Sequence, residues 1–386
     1  MKARRDWVST VISRLIRSGL GDDERAFHEA YLPLAEQVIV RILEKQPATA
    51  GGRGGDALNE AINTAKGATV EALIQYAWRR AHLASEKGED QAASWGAVQG
   101  IFDRELERCR DGNYEFSALA GAYLPTLRFL SLDWVKANIN RIFPKEYETN
   151  WRCAIEGYAY VTDVYEDLYR LLREHGHFKK ALQTDFRNRQ IREKIIQQIS
   201  VGYLRGWESL DSDDSLFAEM LRKFDPDDVS YIVWFFWTLR KQGLSQGMLD
   251  AIMQFWKWCS VRIRGHETKN ARLLSDLTLL AAILTDISEE AKTLLLQAAP
   301  YVDEKHHSSL LLEHLDMLAN NSPAPVGEIF LALLATTTPT YDESNIHSIV
   351  EKLYQHGFEA LANQICDRYA IKGLEILRDL YDRYNS

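Results

Sequence analysis

The chain has 386 residues, 46% of them hydrophobic and 26% charged, with 22 glycines and nine prolines. That length predicts about two to three domains or one elongated array, with enough core to fold without disulfide or metal staples. A net charge of -9 argues against nonspecific binding to nucleic acid or to an anionic membrane surface.

Helical periodicity begins at once. The opening MKARRDWVSTVISRLIRSGLGDD is basic and then amphipathic, and Arg14 and Arg17 interrupt the apolar run a secretory signal would need. Over residues 27–45, Leu34, Val38 and Ile42 recur four apart, joined by Ile39 and Leu43, which predicts an amphipathic helix with those five on its apolar face. QPATAGGRGGDA, residues 46–57, reads as a flexible linker. Beyond it, ATVEALIQYAWRRAHLASEK puts Val70, Leu73, Ala77 and Trp78 on one side and Glu71, Gln75 and Arg79 on another. WRCAIEGYAYVTDVYEDLYRLLREHG stripes Tyr158, Val161, Tyr165, Leu168 and Leu172 and stops at Gly176.

The same period runs through DLTLLAAILTDI, SSLLLEHLDMLANN and NIHSIVEKLYQHG to the final EALANQICDRYAIKGLEILRDLYDRY. Strand-type alternation is nearly missing. The expectation is an all-α chain of about sixteen to twenty helices, arranged as an irregular helical-hairpin (TPR/HEAT-like) repeat array. Its expected parts are N-terminal helices at 1–45, the linker at 46–57, a first helical-repeat region at 58–225 and a second at 226–386. No fixed repeat period stands out. Cys109, Cys153, Cys259 and Cys366 are far apart and read as buried thiols of a reducing compartment. No apolar stretch approaches the ~20 residues of a membrane span, so the expected location is the cytoplasm, with no membrane partner.

Several motifs carry possible chemistry. GLSQG at 243–247 matches the G-x-S-x-G elbow of serine hydrolases, which must follow a strand. Here the preceding run ends in a helical last turn, so Gly243 is expected as a left-handed cap and Ser245 as the N-cap of the next helix. Near GGRGG, Lys66 precedes Gly67 and no Gly-Lys-Ser/Thr occurs, so no phosphate loop forms. Beside His306, Asp303 and His307 are four apart and His307 and His314 seven apart, so one helix face could carry those three, yet no second cluster completes a metal site. No cofactor and no catalytic residue are expected. Two groups remain as candidate partner-binding residues. Lys179, Lys180, Arg187, Arg189 and Arg192 concentrate positive charge in an acidic chain. Trp234 and Trp237 belong to an aromatic block whose rings serve either the core or an interface.

DALNEAINTAKGATVEALIQYAW (56–78), FSALAGAYLPTLRFLSLDWVKANINRIFP (116–144), WRCAIEGYAYVTDVYEDLYRLLREHG (151–176) and LYQHGFEALANQICDRYAIKGLEILRDLYDRY (353–384) occur in this order. This set resembles the C-terminal helical-repeat regions of bacterial antiphage defence proteins. These include the STAND NTPases of the AVAST group and related proteins with sirtuin-type effector domains. The resemblance implies a sensor that binds a folded phage protein, of terminase or portal type, and relays activation to an upstream NTPase or effector. The motifs are framework positions, so no binding residue carries over. Rival expectations are a nucleic-acid-binding helical scaffold using 179–194 and a hydrolase using Ser245.

Overall fold

The computed structural model describes residues 2–46, 56–303 and 307–386, leaving aside the side chains of residues 2–5 and 91. Among these residues the chain forms 22 α-helices and five short 3-10 turns, and no strand. The fold is all-α, a helical-repeat array. Residues 47–55, most of the expected linker, and His306 lie outside the described residues. Two compact units divide the chain, Met1–Gln198 and Ile199–Ser386. No helix of the described residues is long and apolar enough to cross a membrane.

The first unit opens with Lys2–Gly19 (α1), Leu32–Lys45 (α2), Ala57–Ile62 (α3) and Ala65–Glu86 (α4). Asp56 and Thr64 start the last two as N-caps, accepting from the Asn59 and Gly67 N–H groups at 3.1 and 2.9 Å. α4 is the hub, packed against α1, α2 and α3. Its residues 65–74 are all buried. Glu71 is therefore not on an outward face as its spacing suggests. α1 lies over it, and its carboxylate meets Arg17 at 2.7 Å and the Tyr123 hydroxyl at 2.9 Å.

α2 also departs from expectation. Ala35, Ile39 and Leu43 face inward, whereas Leu34 is 57% exposed and Val38 and Ile42 are only half-buried. One residue along a helix is 100° around it, and α4 takes the edge carrying the small Ala35.

Gln91–Glu107 (α5), Tyr114–Ala122 (α6), Leu124–Leu130 (α7), Leu132–Ile142 (α8) and Glu148–Ala159 (α9) follow. α6 crosses α9 at backbone contact. A Cβ on Gly121 would stand 2.0 Å from the Ala154 carbonyl oxygen, and one on Gly157 only 1.9 Å from that of Ala118. Glycine is the one residue that fits either position. The stretch read as one helix over 151–176 is two, because α9 ends at Ala159 and the next helix, Glu166–Glu174 (α10), begins at 166. Between them Val161, Thr162, Asp163 and Val164 are β-branched or cap-forming residues, poor at continuing a helix. Gly176, at φ 69°, separates α10 from His177–Gln183 (α11), the stop its position predicts. Arg189–Leu204 (α12) carries the chain past the unit boundary.

In the second unit come Leu216–Arg222 (α13), Pro226–Thr238 (α14), Gln246–Ile263 (α15), Ala271–Leu277 (α16) and Glu289–Ala298 (α17). Ser308–Leu318 (α18), Pro323–Leu333 (α19), Glu343–Gln355 (α20), Glu359–Ile371 (α21) and Arg378–Asn385 (α22) complete it. From α14 onward each helix packs on the next but one. α14, α16 with its 3-10 extension Thr278–Ile283, α18, α20 and α22 make one layer, and α15, α17, α19 and α21 make the other. Polar rungs tie successive repeats. Lys352 meets Asp316 at 2.7 Å, Asn321 donates to the Thr285 carbonyl at 3.0 Å and Thr336 to that of Pro300 at 2.7 Å, each pair 36 residues apart. A structural period near 36 residues therefore underlies a stretch whose sequence displays none. α22 packs on α20 and α21, burying Leu380 and stacking Tyr384 on Tyr354 at 4.4 Å.

Candidate functional site

α14 begins on a proline at its first turn, with Asp225 accepting from the Asp227 N–H at 3.0 Å. Ile232, Val233, Phe235 and Phe236 turn into the core. Tyr231, Trp234, Trp237 and Arg240 then fall three apart, along the i±3 row that forms a slanting ridge on a helix. Trp234 is 46% exposed, and its ring centroid lies 5.4 Å from that of Tyr231. The Arg240 guanidinium sits 3.6 Å from the centre of the Trp237 indole and donates to the Trp237 carbonyl at 3.1 Å. The Trp237 indole N–H is shut from solvent and meets no acceptor. The aromatic block thus divides. Phe235, Phe236, Phe255 and Trp256 are core, and Trp258 is half-buried under Arg262 at 4.6 Å. Trp234 is the ring turned outward. Stacking on Trp237 holds Arg240 in one place, lowering the ordering cost of any contact it makes.

The basic segment lies in the first unit and the ridge in the second. Lys180 is used locally. Its ammonium sits 4.2 Å from the centre of the Trp151 ring, pairs with Glu148 at 2.7 Å and donates to the Lys145 carbonyl at 3.2 Å. Arg192 donates to the Leu182 carbonyl at 2.8 Å, and Arg189 pairs with Glu193 at 3.2 Å. Lys179, Arg187 and Arg189 are exposed. Two of the five cations thus also hold α11 and the turn before α12.

Nothing in the periodicity marks the most unusual polar group of the molecule. Lys66 of α4 and Glu105 of α5 form an ion pair with both side chains almost wholly buried. Glu105 also accepts from Arg108 at 2.9 Å and from Asn113 Nδ2 at 3.0 Å. Asn113 adopts φ 55° ahead of α6 and donates to the Glu105 carbonyl at 2.8 Å, so one network joins α4, α5 and the start of α6. Burial pulls the Lys66 ammonium below its ordinary pKa despite Glu105. Glu115 lies at 4% exposure, its carboxyl oxygens reach no donor of another residue, and burial raises its pKa. The available sequence signal was a lysine inside the small-residue run AKGATVEA, where a surface helix would not place it. The cluster is a structural network. Among the described residues no group of three His, Cys, Asp or Glu side chains is arranged to hold a metal.

The hydroxyl candidates are also placed. Ser245 caps α15, accepting from the Met248 N–H at 3.4 Å, and the element before GLSQG is α14 with its 3-10 turn Leu239–Lys241. Gly243 is not left-handed, contrary to expectation, because that 3-10 turn already closes the helix and Gln242 leaves it extended. Elsewhere Ser275, His307 and Asp276 converge. Ser275 Oγ lies 2.8 Å and Asp276 Oδ1 3.6 Å from the same ring nitrogen, His307 Nδ1. A serine-activating triad needs its acid and its serine on opposite nitrogens. Ser275 Oγ moreover accepts from the Asp303 N–H at 2.8 Å. His314 is buried, with its pKa lowered by that burial. All four cysteines are buried free thiols, and burial pushes Cys109 and Cys153 up to about 12, far from thiolate chemistry.

Stacked hairpins with a 36-residue polar register define a helical-repeat protein. No family model, curated protein or solved structure matches the chain.

Proposed function

We propose that the chain is a non-catalytic protein-recognition module, the target-sensing part of a bacterial antiphage defence system. The observation that carries this reading is the Tyr231–Trp234–Trp237–Arg240 ridge, built of residue types that dominate binding hot spots and raised on a stack of repeats. The resemblance of four framework segments to antiphage sensors supplies the target class, a folded phage protein of terminase or portal type. Binding shifts a coupled NTPase or effector between inactive and active populations.

The test is capture from nuclease-treated lysates of phage-infected and uninfected bacteria, with wild-type and Trp234→Ala chains as bait. One phage protein is enriched from the infected lysate, and Trp234→Ala weakens its binding by about tenfold or more while thermal stability is unchanged. Equal enrichment of host proteins from both lysates sinks the reading. So does capture indifferent to Trp234.

A further inference from the structure

α1 is packed inside out. Its inward face is small and polar, with Ser13 fully buried against the Thr69 hydroxyl at 2.9 Å and Arg17 reaching Glu71. Its opposite face carries Trp7, Val8, Val11, Ile12 and Leu15, with Trp7 at 66% and Leu15 at 72% exposure. Beside it Leu34 of α2 and Tyr31 of the turn just before it are exposed, and Ile12, Leu34, Val38 and Ile42 line a groove between the two helices. Seven of the 16 exposed large hydrophobics of the described residues fall within residues 7–34, so this is a patch rather than scatter.

We propose that this face docks a second copy of the same chain, the α1 ridge of each copy entering the α1–α2 groove of the other. Three observations select this occupant. The seven side chains expose roughly 700 Å², above what a monomer leaves bare, so a two-fold contact covering all of them buries about 1,400 Å², inside the range of a stable interface. Ridge and groove lie side by side on one face, which is what a self-complementary two-fold contact needs. Charge agrees with it. Among the described side chains α1 carries Arg14 and Arg17 against Asp6, and the groove rim holds Glu36 and Glu44 against Arg41. Glu36, Glu44 and the exposed Asp22, Asp23 and Glu24 just after α1 oppose an anionic lipid surface. Target recognition by α14 is not required for this pairing.

Sedimentation equilibrium of the full chain tests it, from about 1 to about 50 µM. Wild type associates to twice the chain mass. Leu15→Glu and Val11→Glu weaken association about thirtyfold or more with thermal stability retained, since both side chains already face solvent in the single chain. Met317→Glu, equally exposed on α18, leaves association unchanged. A monomer throughout overturns the proposal, as does a dimer that ignores both α1 substitutions. Binding of the monomer to phosphatidylglycerol vesicles, abolished by Leu15→Glu, also overturns it by assigning the face to lipid.

Discussion

His177, at the start of α11, is wholly buried. The Phe143 ring lies 5.2 Å away, and the Trp151 indole N–H points at His177 Nδ1 from 3.4 Å. An indole nitrogen only donates, so Nδ1 accepts and the proton of the neutral ring resides on Nε2. That second nitrogen is sealed from solvent with no partner. Burial first, then the positive charges of Lys145, His175 and Lys180, lower the imidazole from 6.5 to about 3.

The folded-state pKa is depressed, so below pH 6.5 the unfolded chain takes up a proton that the native chain refuses until about pH 3. Stability from this group is complete above the unfolded value and drains away as pH falls, at ~1.4 kcal/mol per pH unit. Near pH 4.5 the loss reaches about 2–3 kcal/mol, a large fraction of a typical folding free energy. His177→Gln keeps an acceptor for Trp151 and removes the titration. Urea unfolding of both chains, at neutral pH and near pH 4.5, isolates the effect because the carboxylates are common to both. The wild type should lose about 2–3 kcal/mol more than the variant on acidification. Parallel losses, or a histidine NMR resonance from this ring titrating near 6.5, would refute the argument.

Two further substitutions probe the first unit. Glu105→Gln leaves the Lys66 ammonium buried without its counter-ion; it should cost about 3–5 kcal/mol by chemical denaturation, and a cost under ~1 kcal/mol would show the pair to be wet or relaxed. Gly157→Ala drives a Cβ to 1.9 Å from the Ala118 oxygen; it should cost at least about 3 kcal/mol, whereas Gly243→Ala, with nothing within 4 Å, should change stability by under ~0.5 kcal/mol in the same assay.

The helical class was legible because the 3.6-residue period is repeated along the whole chain, but the facing of each helix was not. In α2 two adjacent stripes, Leu34/Val38/Ile42 and Ala35/Ile39/Leu43, are both apolar, and only the arrival of α4 decides between them. Lys66 and Glu71 look solvent-seeking until α1 and α5 cover them, because partners 39 and 54 positions away decide their burial. The cap at Ser245 was readable, since capping depends on the next three residues alone. The local partners of the basic segment were not legible, for the same reason as at Lys66. Its charges are real, but Trp151 and the Leu182 carbonyl, invisible to a charge count, recruit Lys180 and Arg192.

The repeat of the second unit teaches a different lesson about why a period can be physical without being a motif. Its register is held by single polar rungs, Lys352 on Asp316, Asn321 on Thr285 and Thr336 on Pro300, and the donor type changes at each step. A rung needs one donor and one acceptor and not a particular residue type, so the period need not show as a residue motif. The energetic consequence is that each hairpin depends chiefly on its neighbours. α14, at the start of this run, packs onto α16 and the turn Thr278–Ile283. Trp234, 46% exposed on α14, can therefore be replaced without touching the rungs further along, which keep the stack intact.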